Sequence, residues 1–481
     1  MSSAPHAPAT QAIASDADLE RLQWVADPHA DDTIAAIVAD AGTEEGLRRI
    51  DELNAVIHAW QDNASVANWR PDARQGDLAE PLLRYVSVAR SLPPWADPAR
   101  IARAESIFTD YGVLSLTMLF CASLPECYVI PDLAAVLHAT GQLEDRAEHR
   151  LRATGAMIFP VMMAGGLTRP DGSGIAQILK VRLIHATVRN LILRGPPEAA
   201  VARLRDASDA EASVIPALAP LQRGGSMSRA LHVHGWDLGT CAVPNNQEEL
   251  AYTLLTFSFV FLRSLRRLGI PLSRGEEEDY LHAWNVAGHF LGIRRELMVD
   301  TMDAAAALFA RMQARGRAEV AKHAHPEDPR PRLAAALMDA MKSVIPPGPF
   351  KSFPVLLTRR LLEPQSARDL GLEERVTWIS KVLFATLMGC ARGIDAAMRL
   401  AFNDFSISRL ITRVIGYRLT CMLLMSQTRE LAVPDRLRPG IRALIASWGE
   451  DAKASARMNA LEDRMTTRGD WHALHGMPRE L

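Results

Sequence analysis

The sequence predicts an all-α protein: a single large multi-helix domain with satellite helices and a pocket between its core helices. Three observations carry this. Apolar residues recur at helical spacing along most of the 481 residues, while the two-residue alternation of a half-buried strand is rare. The periodic segments are separated by short Pro/Gly-rich loops at 92–98, 165–174, 217–226, 324–331 and 345–350, none of which reads as a long flexible linker. Hydrophobic residues make up 48% and charged residues 23%, the balance of a globular chain with a large core. No repeat with a period of 20–50 residues is present, which excludes a solenoid.

Taken in order, residues 1–20 are expected to be a disordered tail, because the first fifteen are Ala-, Ser-, Pro- and Thr-rich. They lack the basic and apolar regions of a signal peptide. Helices are expected at 32–41, 44–60, 98–119, 131–139, 142–163, 174–194 and 197–211, then at 247–268, 274–290, 296–314, 331–343 and 351–362. Further segments at 373–403, 406–427 and 436–465 complete the set. Asn246 is placed to cap the helix that opens Gln247-Glu248-Glu249, where the acids also suit the positive end of the helix dipole. Ser273 and Glu276 have capping-box spacing. The Arg/Gly/His/Pro/Asp-rich stretch 315–331 is the best seam, dividing a 21–315 core from C-terminal helices over 316–481 that pack on it.

The net charge of −2 argues against nucleic acid as a partner. The longest apolar runs, such as 254–262, are too short for a bilayer, so stable membrane insertion is not expected. Five scattered cysteines suit a reducing compartment, and the expected location is cytoplasmic. There is no Cys-x-x-Cys-His, Gly-x-Ser-x-Gly, His-Glu-x-x-His or dinucleotide fingerprint, and the 165–174 loop lacks the Gly-Lys-Ser/Thr ending of a phosphate-binding loop.

The run Lys180-Val181-Arg182-Leu183-Ile184-His185-Ala186-Thr187-Val188-Arg189 carries the strongest chemical signal. Arg182, His185 and Arg189 stand at i, i+3 and i+7 on one face of an apolar helix. Two guanidiniums and an imidazole in such a setting cost several kcal/mol unless an anion or a metal meets them. A haem answers all three, iron for the imidazole and propionates for the arginines. A carboxylate or phosphate ligand answers only the arginines. A lone histidine on an apolar face is more often a satisfied core residue, and the arginines are what set this one apart.

Other polar positions are weaker. Arg150 and Thr154 are i, i+4 neighbours; the plain reading is a surface arginine and a back-bonded threonine. Thr253 is the first polar group on the apolar face of its helix. His232 and His234 could bind metal on a strand but lack a third ligand. Cys390 and Cys421 read as inert core thiols.

These pieces, in this order, resemble the catalytic domain shared by latex-clearing rubber oxygenases and the fungal mycophenolate-pathway oxygenases. The matching stretches are Leu92-Pro93-Pro94-Trp95-Ala96-Asp97, Ala122-Ser123-Leu124-Pro125 with Tyr128 and Pro131, Arg150-Leu151 with Thr154, Arg182 through Arg189, Pro244 to Thr253, and Trp284 to Leu297. They cover roughly 85–300. The resemblance implies a haem b oxygenase that uses O₂ to cleave a C=C bond of a small apolar, isoprenoid-like substrate. It implies His185 as the axial iron ligand, Arg182 and Arg189 as propionate or pocket-ordering partners, and Arg150, Thr154 and Thr253 as catalytic-pocket residues. One departure stands out: latex-clearing proteins carry a lysine immediately before the threonine, and here that residue is Ala153. The family's catalytic glutamate corresponds to Glu126, Glu144 or Glu148. Two rival readings are a haem-binding sensor or carrier without turnover, and a haem-free helical protein that binds an anionic metabolite.

Overall fold

The computed structural model describes residues 13–38, 43–139, 147–194, 241–270, 272–322, 328–343, 348–373 and 376–401, with positions 236, 238 and 345. The described residues contain helices and no strand, as the periodicity predicts. The first helices are α1 (Asp16–Leu22), α2 (Pro28–Val38), α3 (Thr43–His58), α4 (Asn63–Ala67), α5 (Ala79–Val86), α6 (Pro98–Asp110) and α7 (Gly112–Met118). Next come α8 (Leu124–Cys127), α9 (Pro131–Ala139), α10 (Ala147–Met162), α11 (Gly174–Arg194), α12 (Gln247–Phe257), α13 (Phe259–Leu268) and α14 (Arg274–Phe290). The last are α15 (Met302–Lys322), α16 (Arg330–Ser343), α17 (Phe353–Leu361), α18 (Pro364–Asp369) and α19 (Trp378–Ala401).

The predicted caps form. Asn246 accepts the Glu249 N–H at 3.0 Å, and Ser273 and Glu276 close a reciprocal capping box. Two expected long helices break instead. The 98–119 segment bends by 89° between α6 and the helical stretch that begins at Leu114, around Tyr111 and Gly112, whose φ is +26°. The 247–268 segment breaks at Ser258, whose hydroxyl donates to the Leu254 carbonyl at 2.8 Å; such back-bonding bends helices. Sequence periodicity does not register either break, because both sides of each remain apolar.

One hydrophobic cluster runs from Ala14 to Leu372, through α6, α7, α10, α11, α12, α13 and α14. Leu19 and Leu22 of α1 belong to it, so ordered structure begins inside the stretch assigned to the tail. The boundary drawn at 315/316 falls inside a helix, whose end at Lys322 lies within the 315–331 stretch. α15 passes through Arg315 without a break, and Arg315 pairs with Glu20 and Glu248 of the core. Cys390 is exposed on α19 rather than buried; Cys421 lies outside the described residues. An apolar helix predicts a core thiol only if its face is covered, and the α19 face around Cys390 is open.

Two polar junctions fix the packing of the apolar helices. On α14, Asp279 accepts from Arg100 at 2.7 Å and Arg103 at 2.6 Å, joining it to α6. In α8, the fully buried Glu126 accepts from Arg263 at 2.6 Å and from Gln313 at 2.8 Å, while its backbone carbonyl accepts from Tyr252. Glu126→Gln is expected to cost about 1–3 kcal/mol, since a neutral amide leaves the Arg263 charge poorly matched; urea denaturation measures it.

Candidate functional site

α11 runs for 21 residues and packs against α2, α10, α14 and α4. Its two arginines are buried, at 6% and 3% exposure. Both face α2. Arg182 makes a two-pronged pair with Asp27, Nε to Oδ2 at 2.5 Å and Nη2 to Oδ1 at 2.7 Å, and Nη1 donates to the Phe290 carbonyl at 3.2 Å. Arg189 donates from Nε and Nη2 to Asp31 Oδ1 at 2.8 and 2.5 Å, and from Nη1 to the Asn245 and Pro244 carbonyls at 2.9 and 3.3 Å.

These contacts correct the sequence argument that the arginines await a ligand. Their anions come from the chain itself, at an acidic i, i+4 pair that opens α2. Carboxylates there also suit the helix dipole. Burial pushes the Asp31 carboxyl up and Arg189 opposes it; for Arg182, burial opposes the charge and Asp27 outweighs it. The arginines therefore lock α11 to α2 and to the turn that starts α12. Their pairing also removes the main support for an anionic-metabolite site on this face.

Neighbouring residues complete the lock. Gln247 donates to the Ala26 and Gly292 carbonyls at 2.7 and 3.0 Å and accepts the Arg294 N–H at 2.9 Å. Gly292 has φ +85°, and a Cβ there would stand 2.6 Å from Asp27 Oδ2 and 2.8 Å from Arg182 Nε. Gly292→Ala is expected to destabilise the fold by about 1–2 kcal/mol from backbone strain alone, with the crowded ion pair adding to it; a thermal melt reads the loss. Asn245, at φ +54°, takes a left-handed turn that asparagine tolerates.

His185 is half-buried on α11. Val181 and Val188 lie one turn either side of it, and the adjacent Ile184 is 40% exposed, a large apolar side chain left uncovered. The braced helix thus presents an imidazole on a partly open apolar strip. That donor set fits a flat, apolar metal macrocycle: nitrogen for the metal and aliphatic carbon for the ring. Lys180, nearer the start of the helix, is pulled down to about 8 by burial.

Of the other predicted residues, Thr154 is half-buried on α10, which packs along α11. Thr253 is half-buried on α12, and its carbonyl accepts the Thr256 hydroxyl at 2.7 Å. Arg150 and Ala153 belong to α10, as does Glu148. Glu126 is committed to Arg263 and Gln313, which suits a structural role rather than proton transfer. Glu144, His232 and His234 lie outside the described residues. Asp27 and Asp31 are what the sequence reading missed. The available signal was the match between an i, i+4 acid pair and an i, i+7 arginine pair, each on one helix face.

Comparison with known proteins gives three likenesses. A family model described as ER-bound oxygenase mpaB/B'/Rubber oxygenase, catalytic domain, matches residues 227–393. That stretch overlaps the downstream part of the 85–300 resemblance; it contains Thr253 but not His185. A rubber oxygenase from Streptomyces sp. (strain K30) is 25% identical over 286 residues, covering 59% of this chain and 57% of that protein. The chain thus matches little more than half of that relative's length. The structure of latex clearing protein LCP in the closed state superposes with a TM-score of 0.53 over 88% of this chain and 91% of that one, at 19% identity. The last likeness shows the fold. The family model over residues 227–393 and the sequence relative support a kinship of this chain with the mpaB/rubber oxygenase (MpaB/Lcp-like) family.

Proposed function

We propose that the chain is a haem b-dependent oxygenase that uses O₂ to oxidise or cleave a C=C bond of a small apolar, isoprenoid-like substrate. The observation that carries this is His185, an imidazole on a partly open apolar strip of a helix locked in place by two buried arginines, each paired with an aspartate. When bound, the haem supplies the iron at which O₂ reacts. In this reading His185 would hold the haem iron through its imidazole. Arg182 and Arg189 act through Asp27 and Asp31 to fix the direction in which the imidazole points, a supporting role that metal ligands generally need. Val181, Ile184 and Val188 supply apolar contact and keep water from the ring. Thr154 and Thr253, and Arg150 in the same helix as Thr154, are the polar groups assigned to the pocket.

No disulfide joins the described cysteines, which suits a reducing compartment, and a cytoplasmic location is part of this reading. No single described helix is long and apolar enough to cross a membrane. Ala153, in place of the family lysine, favours one alternative, a haem protein that binds O₂ reversibly without turnover.

The experiment is to purify the protein, load it with haem and measure O₂ uptake with a panel of isoprenoid alkenes. Substrate-dependent uptake with carbonyl products supports the oxygenase. Reversible O₂ binding without uptake replaces it with the sensor or carrier. A colourless protein after haem loading would overturn both.

A further inference from the structure

Glu105 is a buried carboxyl for which the proposed chemistry has no use. It sits on α6, 3% exposed. Its Oε2 accepts the Gly165 N–H at 2.8 Å, and the Leu167 and Gly166 N–H groups also reach the carboxyl. Its Oε1 has no partner. No cation faces it. Arg100 and Arg103 of the same helix are committed to Asp279 on α14, and Arg266 takes that helix's Glu277. His282 of α14 accepts the Asp97 N–H. Arg169 of the nearby turn pairs with Asp171, while α7 and the adjoining residues 158–162 of α10 carry no charge.

The three N–H groups belong to the 163–173 turn, which joins α10 to α11. That turn has no slack. A Cβ on Gly166 would stand 2.0 Å from the Pro160 carbonyl oxygen, and one on Gly172 would stand 2.3 Å from that of Gly165. Asn63 holds the turn's other side, donating to the Gly166 and Arg169 carbonyls at 2.8 and 2.9 Å and accepting the Ala176 N–H at 3.2 Å. The turn is therefore clamped between Asn63, which is always neutral, and Glu105, which is not.

We propose that Glu105 is a positioning residue whose protonation closes the 163–173 turn and whose ionisation loosens it, so that one proton sets how firmly α10 and α11 are held together. An ionised carboxylate there is a buried charge met by backbone N–H groups and no cation among the described residues, with an orphan oxygen, and the way to hydrate it is to open the turn. The neutral acid carries no such cost. The consequence for function rests on the reading of α10 and α11 as the helices that carry Thr154 and His185.

Burial pushes the Glu105 carboxyl from its ordinary 4.5 up to about 7, the backbone N–H groups opposing. Because the folded value is the higher one, the closed turn is firmest below about 4.5. It loosens as pH rises towards 7 and changes no further above that.

Hydrogen–deuterium exchange tests this on the protein without cofactor. After correction for intrinsic rates, protection of the 165–167 amides is expected to fall with rising pH up to about 7, by at most about tenfold per pH unit, and then level off. Glu105→Gln, neutral and of the same shape, is expected to hold the acid-side protection at every pH and to melt higher than wild type above pH 7. A flat profile in wild type, or an unchanged profile in Glu105→Gln, overturns the proposal. A haem titration against pH then asks whether the turn governs the site. Affinity that changes over the same range in wild type but not in Glu105→Gln supports it, and affinity that changes alike in both overturns the link. If haem does not bind at all, the functional reading fails while the exchange result still decides the latch.

Discussion

Asp27→Ala is expected to lower the stability of the fold by about 3–5 kcal/mol. The loss comes less from the missing attraction than from what remains. Arg182, 6% exposed, would keep its charge with the Phe290 carbonyl and the Tyr85 ring face to meet it, and no directly paired carboxylate. Desolvating an unpaired guanidinium is costly, whereas removing both charges is often nearly neutral. The double variant Asp27→Ala/Arg182→Met should therefore recover most of the loss, and the coupling from the double-mutant cycle reports on the pair itself. Urea denaturation of the four proteins is the measurement. A loss under about 1 kcal/mol for Asp27→Ala would mean that the surroundings rehydrate Arg182, and that the pair does not lock α11 to α2.

His185→Ala is expected to abolish haem retention while leaving the fold intact. The side chain is half-buried, so its truncation creates little enclosed void. The readouts separate the two roles. The Soret band of the haem-loaded protein should disappear, while far-ultraviolet circular dichroism and the cofactor-free melting temperature should hold. Imidazole added to the buffer should restore part of the band by filling the vacated position. A variant that keeps an unchanged band would place the iron on another residue. By contrast, Arg182→Met should disturb folding first and the spectrum second, because Arg182 acts through Asp27.

Several features were legible from local sequence. Asn246 and the Ser273–Glu276 box announce helix starts through spacing alone, since capping is a contact within one turn. The burial of Arg182 and Arg189 was also legible, because an apolar helix with two cations on one face leaves them nowhere else to go. Their partners were not. Asp27 and Asp31 lie 155 and 158 residues away from the arginines they meet. The shared helix face of Asp27 and Asp31 does not by itself tell acids that serve the dipole of α2 from acids that also serve another helix.

The sequence by itself determined the helical class, the caps and the polar face on α11, because these follow from periodicity and from the cost of burying charge. The tertiary structure decided that the arginines brace the helix rather than wait for a ligand. It broke the 98–119 helix at Tyr111 and Gly112, carried α15 past the 315/316 boundary to Lys322, and set Glu105 beneath the 163–173 turn. Each of those outcomes depends on which distant group comes within a few ångströms. Packing chooses that neighbour, and local pattern carries no record of it.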